Sequence, residues 1–326
     1  MQYRVKVPRK GEYCMIVGDA VSEYLSSVQR KRDPRTAAGY RQRLGVFASW
    51  CEAEGVSLER FSKKGAYRII DDFVEHLQAT HQGKHGLALS STTVRGYVIC
   101  IKMFFKWCLD DSDEFEECIN PIALRRVEVP AIEGKIVETF SDEHIRGMLA
   151  ACELGSTDFL RARNRAIVQV FLGTGIRLKE LCTLTVSGVT LDPEDAHIKV
   201  FGKRRKWREV PLDEETRKAI GRYMRKFRAG AGEETTVFLN DERCLPLTRS
   251  GVEQLVEKLG RIAHVKGVRC SPHTFRHTYA TRFMAAGGNP YHLQKFMGHT
   301  SFATTEKYLK TLPPRDIRAA LRLVKR

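Results

Sequence analysis

The 326-residue sequence has no apolar run of the length that a membrane helix or a signal peptide needs. Its longest apolar stretches, at 98–101 and 166–172, fall far short of the roughly 18 residues of a spanning helix. It also has no internal repeat and no low-complexity segment. We therefore expect a globular protein that works in the cytoplasm.

Cysteines at metal-binding or redox spacing are also lacking. The sequence has 9 cysteines, an odd number, with wide spacings and no Cys-x-x-Cys. This pattern argues against a disulfide framework or a zinc ribbon. We expect reduced thiols, many of them in the core, because free cysteine is among the most buried residue types.

Charge of one sign is abundant, since 55 Lys and Arg against 39 Asp and Glu give a net charge of +16. Residues 1–130 carry 20 basic and 17 acidic residues, whereas residues 131–326 carry 35 and 22. A strongly basic second half favours a polyanionic partner, usually nucleic acid, although a solvated basic surface has the same composition.

The first half of the chain shows four amphipathic helical stripes, within 20–28, 40–51, 69–77 and 94–108. In each, apolar residues recur every three or four positions. The opposite faces carry basic side chains, of which Arg41, Arg43, Arg95 and Lys102 are candidates for DNA contact. The sequence predicts a small helical bundle with a partly basic face.

The second half is predicted to be mainly helical with one β-hairpin. Strands 197–201 and 208–212 flank the basic turn 202–207. Helices are predicted at 142–151, 251–263, 274–286, 290–297, 303–309 and 315–324, and Ser141 is placed to cap the first. The Pro- and Gly-punctuated segment between the halves resembles an interdomain linker.

Two segments of the second half carry residues suited to binding a phosphate. Arg177 follows a glycine-bounded turn where a helix begins, and Glu180 lies one turn later, where it could orient the guanidinium. His273 and Arg276 are three residues apart and share a helix face. His277 is interpreted as structural, because it lies beside Arg276 rather than on its face.

Gly298-His299 is followed, nine residues after the histidine, by Tyr308. Either residue alone would be read as a packing residue. Together with Arg177, the basic hairpin and His273-x-x-Arg276, however, they have the order and spacing of the tyrosine recombinases, the family of the phage integrases. The resemblance covers the whole chain and implies a helical, SAM-like core-binding domain followed by a mixed α/β catalytic domain.

The resemblance implies the role of each residue. Tyr308 would attack the scissile phosphorus, Arg177 and Arg276 would clamp the phosphate, and His273 would accept the tyrosine proton. His299 would hydrogen-bond the phosphate, and Glu180 would support the network. Negative charge in the transition state is thus met by fixed side chains, and no metal or other cofactor is expected.

The departing 5′-oxygen needs a proton, which family members take from a lysine in the hairpin turn. Lys203 matches that position best, with Lys206 as the rival, because Arg204 replaces a glycine of the common Gly-Lys-Gly pattern. Arg204, Arg205, Lys206 and Arg208 are expected to grip backbone phosphate. A zinc site at His273 and His277 is not expected, since no third ligand follows at suitable spacing.

The family layout predicts a basic tail at 1–13, a core-binding domain at 14–122, a linker at 123–138, a catalytic domain at 139–312 and a C-terminal contact helix at 313–326. It implies a homotetramer on two DNA sites, a nucleoid association and accessory DNA-bending or directionality proteins. A mobile-element recombinase is favoured, because the tail is too short for the arm-binding domain of some integrases. The alternatives are a type IB topoisomerase and a non-catalytic DNA-binding protein on the same fold.

Overall fold

The structure is a computed structural model that describes residues 16–81, 88–110, 115, 118–131, 138–202, 206–242, 245–299 and 301–310. The chain divides into two compact units, residues 1–135 and 136–326. No helix in the described ranges combines the length and the apolarity that crossing a membrane requires. The basic tail 1–13, the turn residues 203–205 and the segment 313–326 lie outside the described residues.

The N-terminal unit is helical. Its helices are α1 (Val17–Lys31), α2 (Pro34–Ala53), α3 (Ala66–Thr80), α4 (Ser91–Asp110) and α5 (Pro121–Arg126), with a 3-10 helix at Leu58–Ser62. The four predicted stripes fall on α1 to α4. At the start of α2, Asp33 accepts a hydrogen bond from the Thr36 amide at 3.0 Å, and Pro34 occupies the first helical position.

Aromatic rings fill the centre of this unit. Phe47 is fully buried and lies 6.2 Å from Phe61, 5.1 Å from Phe73 and 6.2 Å from Phe105, measured between ring centroids. Rings at these separations gain from edge-to-face and tilted contacts in addition to the burial of their apolar surface. The second, third and fourth helices are therefore held together by one aromatic cluster.

Packed structure continues into the segment that the sequence predicts as linker. The Asn120 side chain caps α5 by accepting from the Ile122 and Ala123 amides, both at 3.0 Å. Ala123, Leu124 and Val127 are buried in the core of the N-terminal unit. Asn120 and Pro121 therefore mark the start of a short helix that packs on the core of the N-terminal unit.

The C-terminal unit contains α6 (Asp142–Cys152), α7 (Asp158–Thr174), α8 (Leu178–Cys182), α9 (Glu214–Phe227), α10 (Arg249–Ile262), α11 (Pro272–Ala285), α12 (Pro290–Met297) and α13 (Ala303–Lys310). Its antiparallel sheet has the order β1 (Val189–Thr190), β2 (His197–Phe201) and β3 (Trp207–Pro211). The predicted fold class, mainly α with a small sheet, is confirmed. Ser141 caps α6 as predicted, accepting from the His144 amide at 3.2 Å.

Two details of this unit differ from the prediction. Trp207 belongs to β3 and not to the turn, because it pairs with Phe201 across the hairpin with ring centroids 5.0 Å apart. Helices α7 and α9 fall where the periodicity predicts no helix. α7 buries Ala166, Ile167 and Val168 in succession, and this apolar run obscures the polar stripe that Arg161, Arg165 and Gln169 form at helical spacing.

Candidate active site

Arg177 is positioned by a turn that only glycine can make. Gly175 ends α7 with φ of 59°, in the left-handed region, and a Cβ added there would lie 2.4 Å from the Tyr279 ring. Two residues later Arg177 immediately precedes α8, as the sequence predicts. Its guanidinium donates to Glu180 at 3.1 Å and to the Gly298 carbonyl at 2.9 Å.

Glu180 is the buried centre of this network, with 3% of its surface exposed. Besides the Arg177 guanidinium, it accepts from the Arg177 amide at 2.7 Å and from both terminal nitrogens of Arg208, each at 2.8 Å. Burial alone would raise the pKa of Glu180, but the hydrogen bonds and charge of Arg208, aided by Arg177, outweigh it and lower the pKa. The carboxylate is thus ionised and saturated with donors.

Arg208 lies inside the protein, which corrects the expectation that it grips DNA phosphate. Its side chain is 11% exposed. Two nitrogens bind Glu180, and Nε donates to the Phe296 carbonyl at 2.7 Å. Side chains alternate along a strand, and Arg208 lies on the same side of β3 as buried Val210. It therefore connects the hairpin to the end of α12 and does not face solvent.

Arg276 is buried at 5% exposure on α11. It donates to the Gly175 carbonyl at 2.7 Å and to the Met297 carbonyl at 2.6 Å. Burial, with the nearby Arg177 charge, lowers the pKa of Arg276 to about 10, so the guanidinium remains charged at neutral pH. The predicted pair Arg177 and Arg276 therefore comes together at the carbonyl groups of 297–298.

A cleft of about 460 Å³ opens beside the two arginines. It is lined by Ile176, Arg177, Leu178, Glu253, Glu257, Arg269, Cys270, Ser271, Pro272, His273 and Arg276. Three guanidinium groups and the two carboxylates of Glu253 and Glu257 line this cleft, and the excess of positive charge suits it to an anion such as a phosphodiester. His273, which is exposed, reaches the same cleft from the first turn of α11.

Tyr308 lies on α13 with only 1% of its surface exposed. It packs in a small cluster with Ala280, Met284, Leu293 and Met297. Burial raises the pKa of Tyr308 to about 12, although the Arg276 charge opposes this. The hydroxyl is consequently protonated at neutral pH and needs an acceptor for its proton before it can act as a nucleophile.

Two histidines from different parts of the unit, His277 and His299, lie next to Tyr308. His277 on α11 has Nδ1 2.8 Å from the Tyr308 hydroxyl, and His299 stacks parallel to the Tyr308 ring with centroids 6.4 Å apart. His299 Nδ1 is also 2.8 Å from the Thr305 hydroxyl, which orients its ring. Sequence reasoning interpreted His277 as structural and missed this contact, because the packing of α11 against α13 has no signal in the local spacing.

The remaining candidates differ in their surroundings. Lys206 and Arg41 are exposed. Arg43, Arg95 and Lys102 are half-buried and donate within their own unit, to the carbonyls of Gly39 at 3.3 Å, Pro130 at 2.8 Å and Val127 at 2.8 Å. Lys203, Arg204 and Arg205 lie outside the described residues. Within the described part of the chain, no three His, Cys, Asp or Glu side chains form a group that could hold a metal ion.

Chemically, this site combines a buried tyrosine hydroxyl, an imidazole within hydrogen-bonding distance of it, and two converging arginines beside an open cleft. Fixed guanidinium groups can stabilise charge on phosphate oxygens without reorganising during the reaction. The arrangement suits nucleophilic attack on a phosphodiester.

Comparison with known proteins agrees with this chemistry. The model of the phage integrase family matches residues 138–314. The tyrosine recombinase XerD of Pseudomonas aeruginosa is 28% identical over 275 residues, covering 84% of this chain and 85% of the relative. The tyrosine recombinase XerC of Anoxybacillus flavithermus is 27% identical, covering 88% of this chain and 90% of the relative.

Solved structures share the fold. The XerH site-specific recombinase bound to its palindromic difH substrate matches with a TM-score of 0.72 at 18% identity, over 92% of this chain and 83% of that one. The Tn1549 transposon integrase in complex with transposon right end DNA matches with a TM-score of 0.66 at 20% identity, over 96% and 100%. The chain therefore belongs to the phage integrase family, the tyrosine recombinases.

Proposed function

We propose that this protein is a site-specific DNA recombinase that cleaves and rejoins strands through a 3′-phosphotyrosyl intermediate at Tyr308, without metal or ATP. The observation that carries the proposal is the meeting of Tyr308, His277, His299 and Arg276 next to the cleft that Arg177 also lines. These elements are a nucleophile, an acceptor for its proton and two cations for the phosphate. Family membership supports the same reaction.

In the cleavage step, the Tyr308 oxygen forms a bond to the scissile phosphorus and the bond to the 5′-oxygen breaks. Negative charge that develops on the non-bridging oxygens is met by Arg177 and Arg276. His299, beside the tyrosine ring, donates to the phosphate. Since the phosphotyrosyl link retains the energy of the original bond, the 5′-hydroxyl of another strand can reverse the step.

The leaving 5′-oxygen takes its proton from the hairpin, with Lys203 as the general acid and Lys206 as the alternative donor. On the described side of this segment, the Gly202 amide donates to the Lys206 carbonyl at 2.9 Å. Glu180 acts through Arg177 and Arg208 and is a positioning residue. Arg204, Arg205 and exposed Lys206 supply charge for the DNA backbone.

The partner is double-stranded DNA with specific recombination sites, and the active assembly is a homotetramer on two such sites. Residues 313–326 would dock on a neighbouring protomer, and accessory proteins would set the direction of the reaction. Of the predicted contacts in the N-terminal unit, Arg41 is the best placed to reach a phosphate, because it is exposed.

The test traps the covalent complex. Duplexes that bind would first be selected from DNA of the element that encodes the protein, and each would then be nicked beside the cleavage position, so that the cut fragment diffuses away. We expect wild type to give a denaturant-resistant protein–DNA adduct in EDTA, and Tyr308→Phe to give none while binding equally well. Tyr291→Phe is the matched control, because Tyr291 is an exposed tyrosine of the same unit.

Three other outcomes would contradict the proposal in different ways. Tight binding without an adduct in wild type would favour a non-catalytic DNA-binding protein. An adduct that persists in Tyr308→Phe would mean that another residue is the nucleophile. Relaxation of supercoiled DNA without exchange between two paired sites would favour a type IB topoisomerase.

A further inference from the structure

Thr305 is a buried polar residue on the helix that carries the nucleophile. Its side chain is fully enclosed, at 0% exposure. It lies three residues before Tyr308 on α13, so the two side chains lie on the same side of the helix, one turn apart. A buried hydroxyl costs free energy unless it is hydrogen-bonded. The partner of this hydroxyl therefore indicates why a threonine, and not an apolar residue of the same shape, occupies the position.

The hydroxyl reaches an imidazole of the candidate active site. Thr305 Oγ1 lies 2.8 Å from Nδ1 of His299. The backbone of His299 is held separately by α12, because its amide donates to the Gln294 carbonyl at 3.0 Å and its carbonyl accepts from the Gln294 side chain at 3.3 Å. The backbone contacts fix where the residue lies, and the contact with Thr305 acts on the orientation of its ring.

The same imidazole also lies against the nucleophile. The rings of His299 and Tyr308 are nearly parallel, with planes inclined by 9° and centroids 6.4 Å apart. Thr305 and Tyr308 therefore face one imidazole from successive turns of α13. Loss of the hydrogen bond would let the ring turn relative to the tyrosine, and relative to a phosphate bound beside the tyrosine.

The position of the hydrogen on the His299 ring depends on this contact. A hydroxyl has one hydrogen to donate, and an imidazole nitrogen that accepts it must be unprotonated. If the Thr305 hydroxyl donates to Nδ1, the hydrogen of the neutral ring is on Nε2, at the other edge of the ring. A ring with its hydrogen on Nε2 can donate to a phosphate oxygen, as the proposed function requires of His299.

We propose that Thr305 is a positioning residue, which donates its hydroxyl hydrogen to His299 Nδ1 and so holds the ring in the orientation and the tautomer that present Nε2–H to the scissile phosphate. The inference rests on the proposed function and deepens it. Thr305 acts through His299 and not on the phosphate itself. Its hydroxyl is thus expected to matter only while the imidazole is present.

Single-turnover adduct formation on the nicked duplex, at saturating protein, measures this role. Thr305→Val keeps the branched shape without a hydroxyl, and Thr305→Ser keeps the hydroxyl. We expect Thr305→Val to slow cleavage by about 10-fold, as the loss of one ordinary hydrogen bond to a reacting group would, and Thr305→Ser to retain most of the rate. Thr304→Val is the matched control, because Thr304 is exposed on the same helix, and it should leave the rate unchanged.

A double-mutant cycle separates action through His299 from an effect on packing. In a His299→Ala background, Thr305→Val should cause no further loss, since no imidazole is left to position. A packing defect would slow cleavage by the same factor in both backgrounds. Thermal melts identify any variant that fails to fold, and Thr305→Ala, compared with Thr305→Ser, then replaces Thr305→Val.

The tautomer is measured without any cleavage. Nitrogen-15 NMR of protein labelled at histidine distinguishes a ring nitrogen that carries hydrogen from one that does not, at about pH 9, where an ordinary imidazole with a pKa of about 6.5 is neutral. The signals of His299 are those that His299→Ala loses. We expect the hydrogen on Nε2 in wild type and in Thr305→Ser, and a mixture of tautomers in Thr305→Val.

Four results would overturn the inference. They are cleavage by Thr305→Val at the wild-type rate, Thr305→Ser as slow as Thr305→Val, equal losses with and without the His299 imidazole, and hydrogen on Nδ1 in wild type. Absence of any adduct in wild type would instead overturn the proposed function, and is read from the Tyr308→Phe comparison before the threonine variants are measured.

Discussion

The two units use their basic side chains in different ways. In the N-terminal unit, Arg95 and Lys102 extend from α4 to the carbonyls of Pro130 and Val127 and fasten the end of the unit to the helix. In the C-terminal unit, Arg177 and Arg208 converge on one buried carboxylate, Glu180. The first pair of side chains holds the backbone of its own unit in place, whereas the second pair belongs to the candidate active site.

The difference teaches that a basic helix face is weak evidence for DNA binding. Half-buried cations in the N-terminal unit, such as Arg95 and Lys102, already donate to backbone carbonyls of the same unit. The convergence of several cations on one cleft is stronger evidence for DNA binding. Like charges repel, so cations that lie close together need an anion to stabilise them. Glu180 is that anion, and a further anion in the cleft would be another.

The largest expected effect is a loss of cleavage rate on substitution of Arg276, a cation of the cleft in the C-terminal unit. Arg276→Ala should slow adduct formation by about 10²–10³-fold, because one preorganised charge donor is lost from the phosphate site. Arg282→Ala is the matched control on the same helix, since Arg282 is half-exposed and pairs with Asp142. Single-turnover cleavage at saturating protein measures both, and an equal loss in the two variants would mean that the effect comes from the helix and not from the site.

A smaller effect is expected for Glu180→Gln, measured as the free energy of unfolding. The variant should lose about 1.5–3 kcal/mol at neutral pH, as expected when hydrogen bonds to a charged group are weakened in a buried place. Glu209→Gln is the control, because Glu209 is exposed and meets Lys199 only at 3.8 Å. Surface pairs of this kind are worth about 0–1 kcal/mol.

The pH dependence of that difference has a definite sign. The pKa of Glu180 is lowered in the folded protein. Its stabilising contribution is therefore complete above the unfolded pKa of about 4.3 and is lost as the pH falls through the lower folded value. Urea melts at neutral and acid pH should show the gap between wild type and Glu180→Gln closing on the acid side. A gap independent of pH would contradict the lowered pKa.

Much of the fold and the site could be predicted because the signals are local. Helical period reveals α1 to α4, and the glycine-bounded turn locates Arg177 before a helix. The spacing of His273 and Arg276 fixes a shared position on α11. Helix α7 was not recognised in the same way, because the buried run Ala166, Ile167 and Val168 obscures the polar stripe on its other side.

The contacts that escaped prediction join residues far apart in the chain. Arg208 and Phe296 are 88 positions apart, and His277 and Tyr308 are 31 apart. Which face of a hairpin turns inward, and which side of α11 meets α13, depends on tertiary packing and not on local spacing. Arg208 and His277 were therefore given roles from their sequence neighbours, whereas their partners lie on other elements.

The smallest expected effect concerns the salt dependence of DNA binding, compared between Arg41→Ala and Lys102→Ala in the N-terminal unit. Arg41→Ala should reduce the slope of log affinity against log salt by about 1, as the loss of one phosphate contact does. Lys102→Ala should leave the slope unchanged and cost about 1 kcal/mol of unfolding free energy, because it removes one hydrogen bond to Val127. DNA-binding titrations over a range of salt, with urea melts of the same proteins, separate the two. If Lys102→Ala also lowered the slope, the half-buried cations of the N-terminal unit would contact DNA as well. Their hydrogen bonds to the backbone would then not distinguish them from the cations of the C-terminal unit.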